Sequence, residues 1–127
     1  MSFNLTYLNL ALIYLRIQPA VVGYENKLYV MGGRNSNKVE LKSAERYDPE
    51  TNSWEMVKEM HKKRWGPAAV VFHKKIVSIG GRGKRIGRTA EVYSEEHNSW
   101  TIMPGDTPCT ERSYSACLVQ KPWNWSF

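Results

Sequence analysis

The chain has 127 residues and a formal net charge of +6 at pH 7, and this length suffices for one ordinary domain. Its hydrophobic fraction of 42% and mean hydropathy of −0.52 argue against a disordered chain, and no apolar run approaches the roughly 20 residues that a membrane-spanning helix needs. Two cysteines, Cys109 and Cys117, are too few for a disulfide framework or a zinc site, so we expect reduced thiols in a cytoplasmic protein.

The first fifteen residues match nothing that follows them in the chain. Asn9 to Leu15 form a short apolar run that lacks the basic region and cleavage site of a secretory signal. We expect this segment either to form a strand or helix that covers a neighbouring sheet or to be unrelated to the fold.

Four short strands are predicted in the next part of the chain. They occupy residues 19–24, 28–31, 43–47 and 53–57. A turn at Glu25-Asn26 joins the first two strands, Gly32-Gly33 follows the second, and Asp48-Pro49 initiates the turn before the fourth.

The same four strands return further along the chain. They occupy residues 67–73, 76–79, 89–93 and 99–103. Lys74-Lys75 is the predicted turn between the first two, and Gly80-Gly81 follows the second. Residues 112–119 have the pattern of an opening strand again, whereas 120–127 match no strand pattern.

Three kinds of residue mark the repeat. They are an arginine (Arg16, Arg64, Arg112), a glycine pair (Gly32-Gly33, Gly80-Gly81) and an aromatic pair (Tyr47 with Trp54, Tyr93 with Trp100). The arginines and glycines recur after 48 residues and the aromatic pair after 46, because one loop shortens by two residues and a later one lengthens by two. Loops tolerate such changes and paired strands do not, so the fixed intervals belong to strands. Units of this kind predict the four-stranded antiparallel blades of an all-β propeller.

The repeated glycines and aromatic residues are interpreted as scaffold. A glycine pair at a strand end permits positive φ and close approach of neighbouring chains, as at the centre of a propeller. Each tyrosine or tryptophan can bury roughly 150–250 Å², which is enough to seal one blade against the next. Two blades cannot close a ring, so we expect the chain to be part of a longer protein.

The marks, taken in order, resemble the kelch repeat family: four apolar residues, Gly-Gly, then a tyrosine and a tryptophan at fixed separation. The resemblance implies a partial kelch β-propeller with two four-stranded antiparallel blades plus the first strand of a third. The predicted units are an unmatched apolar segment (1–15), the first repeat (16–63), the second repeat (64–111), the start of a third (112–119) and an unmatched tail (120–127).

Propeller function lies in the loops at the blade ends, since the strands are committed to packing. The resemblance implies a rim whose basic side chains hold an acidic peptide or loop of a protein partner, and the planar guanidinium group suits carboxylates. The candidate partner-binding residues are Arg34, Lys38, Arg64, Arg82, Lys84, Arg85, Arg88 and Arg112. For the repeated arginines, a hydrogen bond to a neighbouring loop is an equally weighted alternative.

The segment Asp48 to Trp54 resembles the BTB-kelch branch of the family, which implies substrate recognition for a cullin-type ubiquitin ligase. The cullin would be contacted only through domains absent from this chain. An actin-binding kelch protein is the alternative. Nucleic-acid binding ranks last, although residues 61–90 hold nine basic side chains and no acidic one, because these side chains are split between two sides of a blade.

No enzyme activity, cofactor or metal is predicted. The three histidines, His61, His73 and His97, are far apart in the sequence and lie mostly in predicted turns. The sequence contains no Ser-His-Asp set, phosphate-binding glycine loop or zinc-ligand spacing. A protein-binding surface is therefore the predicted site.

Overall fold

The computed structural model describes residues 12–82, 85–105 and 107, which form two four-stranded antiparallel sheets. The first sheet contains β1 (Ala20–Tyr24), β2 (Lys27–Met31), β3 (Ala44–Asp48) and β4 (Ser53–Val57), and the second contains β5 (Ala68–Phe72), β6 (Lys75–Ile79), β7 (Ala90–Ser94) and β8 (Ser99–Ile102). The strands of each sheet pair in chain order. The predicted all-β fold with two blades is confirmed, whereas the predicted opening strand at 112–119 lies outside the described residues.

The two sheets are successive blades, which we call blade 1 and blade 2. Strand β1 lies against β5, so these are the inner strands, and β4 and β8 form the outer edges. A single turn of 3-10 helix, Ile86–Arg88, lies in the loop between β6 and β7. No helix in the described ranges has the length and hydropathy needed to cross a membrane.

Each blade begins with a hairpin whose two turn residues have positive φ. The φ angles are 50° and 60° at Glu25 and Asn26, and 49° and 60° at His73 and Lys74. This is the type I′ geometry, whose twist matches that of the flanking strands. The predicted turn at Lys74-Lys75 is therefore wrong by one residue, because Lys75 already belongs to β6 and pairs with Phe72.

The main hydrophobic core lies between the two blades. Its buried side chains are Ala20, Tyr29, Met31 and Ala44 of blade 1, Ile76, Tyr93 and Trp100 of blade 2, and Met60 of the connection between the blades, which is the segment from β4 to β5. The ring of Tyr93 lies 5.8 Å from that of Tyr29 and 5.0 Å from that of Trp100, between centroids. Burial raises the pKa of Tyr29, whose hydroxyl donates a hydrogen bond to Glu95 of blade 2.

The predicted sealing role of the aromatic pair holds for Tyr93 and Trp100, which pack against blade 1. Tyr47 and Trp54 have the same mutual contact, with ring centroids 5.2 Å apart, but face the other way. Side chains alternate along a strand, so Tyr47 lies on the sheet face opposite the buried Ala44. Among the described residues, therefore, only the aromatic pair of blade 2 closes an interface between blades.

Both glycine pairs have the positive φ that the sequence predicts, 69° and 92° at Gly32 and Gly33, and 70° and 127° at Gly80 and Gly81. The predicted close approach is also present, since a β-carbon at Gly32 would clash with the carbonyl oxygen of Arg64. The glycines follow the second strand of each blade and lie beside the segments that enter the blades, since Gly32 and Gly81 approach Arg64 and Gly33 approaches Ile17. Their position at the propeller centre stays a prediction.

Replacing Gly32 by alanine is expected to lower the free energy of unfolding by about 2–3 kcal/mol, because alanine meets both an unfavourable φ and a backbone carbonyl. Gly105→Ala is the matched control, since Gly105 has a φ of 75° but no atom within 4 Å of the new β-carbon. It should cost only about 1–2 kcal/mol. Urea unfolding followed by tryptophan fluorescence measures both. Equal losses would show that the close approach to Arg64 has no energetic weight.

Candidate partner-binding rim

The connection that enters blade 2 is fixed by the buried side chain of Arg64. Its guanidinium pairs with the Glu91 carboxylate of β7 at 2.9 Å and donates hydrogen bonds to the carbonyl oxygens of Gly80 and Thr89 at 2.9 and 3.1 Å. The same carboxylate accepts a 2.6 Å hydrogen bond from the backbone N–H of His61. Arginine and glutamate therefore join the connection, the sheet and both ends of the following loop.

The connection that enters blade 1 repeats this arrangement. Arg16 pairs with Glu45 of β3 at 2.8 Å and donates to the carbonyl oxygens of Gly32 and Ser43 at 3.0 and 2.9 Å. The backbone N–H of Ile13 donates to the Glu45 carboxylate at 2.6 Å, as that of His61 does to Glu91. The structural repeat thus includes Ile13, three residues before the predicted boundary at residue 16.

The predicted rim role of Arg64 is wrong, because its side chain is fully buried and cannot reach a partner. The alternative interpretation, a hydrogen bond to a neighbouring loop, is the observed one for Arg64 and for Arg16. Their partners, Glu45 and Glu91, are not among the predicted site residues. The signal for them is a glutamate that directly follows a repeated alanine, in Ala44-Glu45 and Ala90-Glu91.

The surface of this end of the blades contains a cation–π cluster, which we call the rim stack and which consists of Arg34, Trp65 and Arg82. Arg34 comes from the loop after β2 and Arg82 from the loop after β6, and their guanidinium carbons lie 4.2 and 4.3 Å from the centroid of the Trp65 ring. Trp65 belongs to the connection between the blades. Both arginines were predicted rim residues, whereas Trp65 was missed.

The guanidinium groups of the rim stack are held by an aromatic ring and not by carboxylates. Within residues 12–82, 85–105 and 107, neither Arg34 nor Arg82 forms an ion pair. Arg34 Nε and Trp65 Nε1 are buried and have no hydrogen-bond acceptor in this part of the chain. The rim stack therefore presents two positive charges that no carboxylate of these ranges compensates, which suits an anionic group.

The other predicted rim residues lie in the loops that flank the stack. Lys38 is exposed in the loop after β2, and Arg85 and Arg88 are exposed at either end of the 3-10 turn after β6. Lys84 and Arg112 lie outside the described residues. Contact of any of these side chains with a partner stays a prediction.

The chemistry that this end of the blades offers is binding. Its exposed side chains include guanidinium and ammonium groups and the carboxylate of Glu40, and the indole of Trp65 is half-buried. No cluster of three or more His, Cys, Asp or Glu side chains that could hold a metal ion exists among the described residues.

Stacked four-stranded blades with a buried arginine in each connection define a repeat of the β-propeller class. The Kelch motif model matches residues 15–61 and 64–106, so the chain belongs to the kelch repeat family. Kelch repeats build protein–protein interaction modules.

Curated relatives of two kinds are similar to the chain. An F-box/kelch-repeat protein of Arabidopsis thaliana is 38% identical over 76 residues, which are 58% of this chain and 20% of the relative. Human Kelch-like protein 23 is 33% identical over 101 residues, or 77% of this chain and 17% of the relative. Mouse Kelch-like protein 35 is 34% identical over 108 residues, or 84% and 17%. The chain thus spans about a fifth or less of the length of these relatives.

Proposed function

We propose that the chain recognises an acidic segment of a protein partner through its rim. The observation that carries this proposal is the rim stack, in which Arg34 and Arg82 lie over one indole without a carboxylate partner in the described ranges. A guanidinium that stacks through its flat face keeps its N–H edge for a carboxylate, which it can bind with two parallel hydrogen bonds.

The rim stack is held in place by the backbone of both blades. The N–H of Arg82 donates to the carbonyl oxygen of Trp65 at 2.8 Å, and Arg34 and Ile17 exchange two hydrogen bonds of 3.0 and 2.8 Å. The N–H of Gly66 donates to Gln18 at 3.0 Å. These bonds fix the backbone beneath the stack, so less conformational entropy is lost when a partner binds.

We further propose that the chain is the substrate-recognition part of a kelch-like adaptor for a cullin-type ubiquitin ligase and acts in the cytoplasm. The relatives named kelch-like and F-box/kelch-repeat proteins support this assignment, as does the resemblance of residues 48–54 to the BTB-kelch branch. Because the chain spans a small part of these relatives, contact with the cullin is assigned to other parts of the complete protein.

The double variant Arg34→Glu, Arg82→Glu is expected to bind an acidic peptide at least about ten-fold more weakly than the natural chain, because it removes two cations and adds two anions at the stack. A fluorescein-labelled peptide with four consecutive glutamates, followed by fluorescence anisotropy at low and physiological salt, provides the measurement. Lys27→Glu, Lys74→Glu is the control, since it changes the net charge equally at the hairpin ends of the blades.

An equal loss in both double variants would mean that net charge, and not the rim stack, attracts the peptide.

The ligase part of the proposal is tested on the complete protein. There, the rim variant should lose its substrate and still co-purify with the cullin. Failure of the complete natural protein to co-purify with any cullin would remove the ligase assignment and leave the rim assignment intact. Co-sedimentation with filamentous actin, unaffected by the rim variant, would favour the actin-binding alternative.

A further inference from the structure

The two connections differ on either side of their shared buried arginine. Residues 13–17 before blade 1 read Ile-Tyr-Leu-Arg-Ile, whereas the equivalent residues 61–65 before blade 2 read His-Lys-Lys-Arg-Trp. The apolar side chains of the first connection are exposed: 48% for Ile13, 54% for Tyr14, 52% for Leu15 and 38% for Ile17. We call these four residues, together with the 48% exposed Val39, the apolar patch.

The exposure of Ile13 and Leu15 is a property of their positions in the repeat. In the second connection, which lies between two blades, His61 and Lys63 are exposed as well. The equivalent positions in the first connection, Ile13 and Leu15, would therefore face solvent even with a blade on each side. The fold tolerates lysine at such positions, so its stability does not account for the apolar residues there. A cluster of exposed apolar side chains of this kind marks an interaction surface.

Two residues of the apolar patch line a groove, and the other walls of this groove come from the loop that carries Arg34. The groove has a volume of about 380 Å³ and is lined by Tyr14, Leu15, Asn35, Ser36, Leu41 and Ser43. Asn35 and Ser36 directly follow Arg34 of the rim stack, and the N–H of Arg34 donates to Ile17 of the connection at 3.0 Å. Four of the groove-lining residues and Arg34 of the rim stack thus belong to one loop, the loop after β2.

We propose that the rim of this chain selects a protein segment in which an aliphatic side chain accompanies a pair of acidic residues. The aliphatic side chain occupies the groove against Tyr14 and Leu15, and the acidic pair binds Arg34 and Arg82. This inference rests on the proposed function and makes it more specific. The complementarity is of two kinds, charge at the rim stack and apolar area in the groove, so neither part alone defines the partner.

The test compares matched peptides on the natural chain. Each labelled peptide carries two adjacent glutamates and either one leucine or one serine, placed two, three or four residues from the glutamates. The three spacings change the distance between the two groups in steps of about 3.3 Å, the length of one extended residue. We expect the leucine form at the best spacing to bind about ten-fold more tightly than its serine match, since a leucine side chain leaves water only in the first case. Fluorescence anisotropy measures both affinities.

The double variant Tyr14→Lys, Leu15→Lys tests the groove itself. It introduces the residues that the second connection carries at the same positions, so the fold accommodates them, and an unchanged urea midpoint checks this. The variant should lose the leucine preference while binding the serine peptide at least as tightly, because it gains two positive charges. Opposite changes for the two peptides separate apolar recognition from net charge.

The possible results distinguish the inference from the function on which it rests. Equal affinity of the natural chain for the leucine and serine peptides overturns the inference and leaves the acidic-segment proposal standing. A leucine preference that the lysine variant retains also overturns it. No binding of any peptide, or binding that Arg34→Glu, Arg82→Glu leaves unchanged, overturns both.

Discussion

Replacing Glu91 by glutamine is expected to lower the free energy of unfolding by about 3–5 kcal/mol. The change leaves the fully buried guanidinium of Arg64 without its counter-charge. A neutral amide also has only one acceptor oxygen, whereas the Glu91 carboxylate accepts hydrogen bonds on both oxygens, from Arg64 and from the backbone of His61 and Lys62. Urea unfolding followed by tryptophan fluorescence measures the loss.

Glu59→Gln is the control for this prediction, because Glu59 pairs with Lys42 at 3.4 Å on the exposed surface. Its loss should stay below about 1 kcal/mol. The double variant Arg64→Met, Glu91→Leu should recover part of the stability, since no buried charge remains, but the carbonyl of Gly80 and the N–H of His61 still lose their partners. A loss for Glu91→Gln as small as that of the control would contradict a stabilising role of the buried pair.

Replacing Trp100 by alanine is expected to cost about 3–5 kcal/mol, because it opens a cavity in the core between the blades. The indole packs on Tyr93, and its N–H donates a 2.7 Å hydrogen bond to the carbonyl oxygen of Lys58 in the connection. Trp100→Phe keeps most of the apolar contact and should cost about 1–3 kcal/mol, largely for the unsatisfied carbonyl. The same unfolding experiment measures both variants.

Trp54 supplies the matched control, since it occupies the position in blade 1 that is equivalent to Trp100 in blade 2. It is half-buried, faces away from blade 2, and its indole N–H has no acceptor in the ranges that the structure describes. Trp54→Ala should therefore cost roughly half as much as Trp100→Ala. If the two alanine variants lose equal stability, packing between the blades is not the source of the effect.

The sequence predicted the blades well because strand pairing preserves spacing. The repeat intervals identify every described strand, and the observed strand ends lie within one residue of the predicted ones. The second hairpin turn was misplaced because His73 and Lys74 contain none of the glycine or asparagine that marks a left-handed turn, whereas Asn26 marks the first one. Spacing predicts that a glycine approaches another segment closely but not which segment, and the structure shows that Gly32 approaches Arg64.

The rim was harder to predict because its chemistry depends on burial and on contacts between blades. A repeated arginine is usually exposed, and only the opposed carboxylate of Glu91 shows that Arg64 is structural. The rim stack joins residues from two loops and one connection, and no local pattern relates Trp65 to Arg34 and Arg82. An aromatic residue directly after the repeated arginine was the one available signal.

The buried arginines bind the two ends of the loops that follow β2 and β6. Arg16 holds the carbonyl oxygens of Gly32 and Ser43, and Arg64 holds those of Gly80 and Thr89, although the enclosed segments 33–42 and 81–88 differ in length and composition. Both ends of each enclosed segment are thus held through main-chain atoms, and Gly33 and Gly81 at its start supply a positive φ. A new segment grafted after this glycine is expected to change what is recognised while the two blades keep their fold.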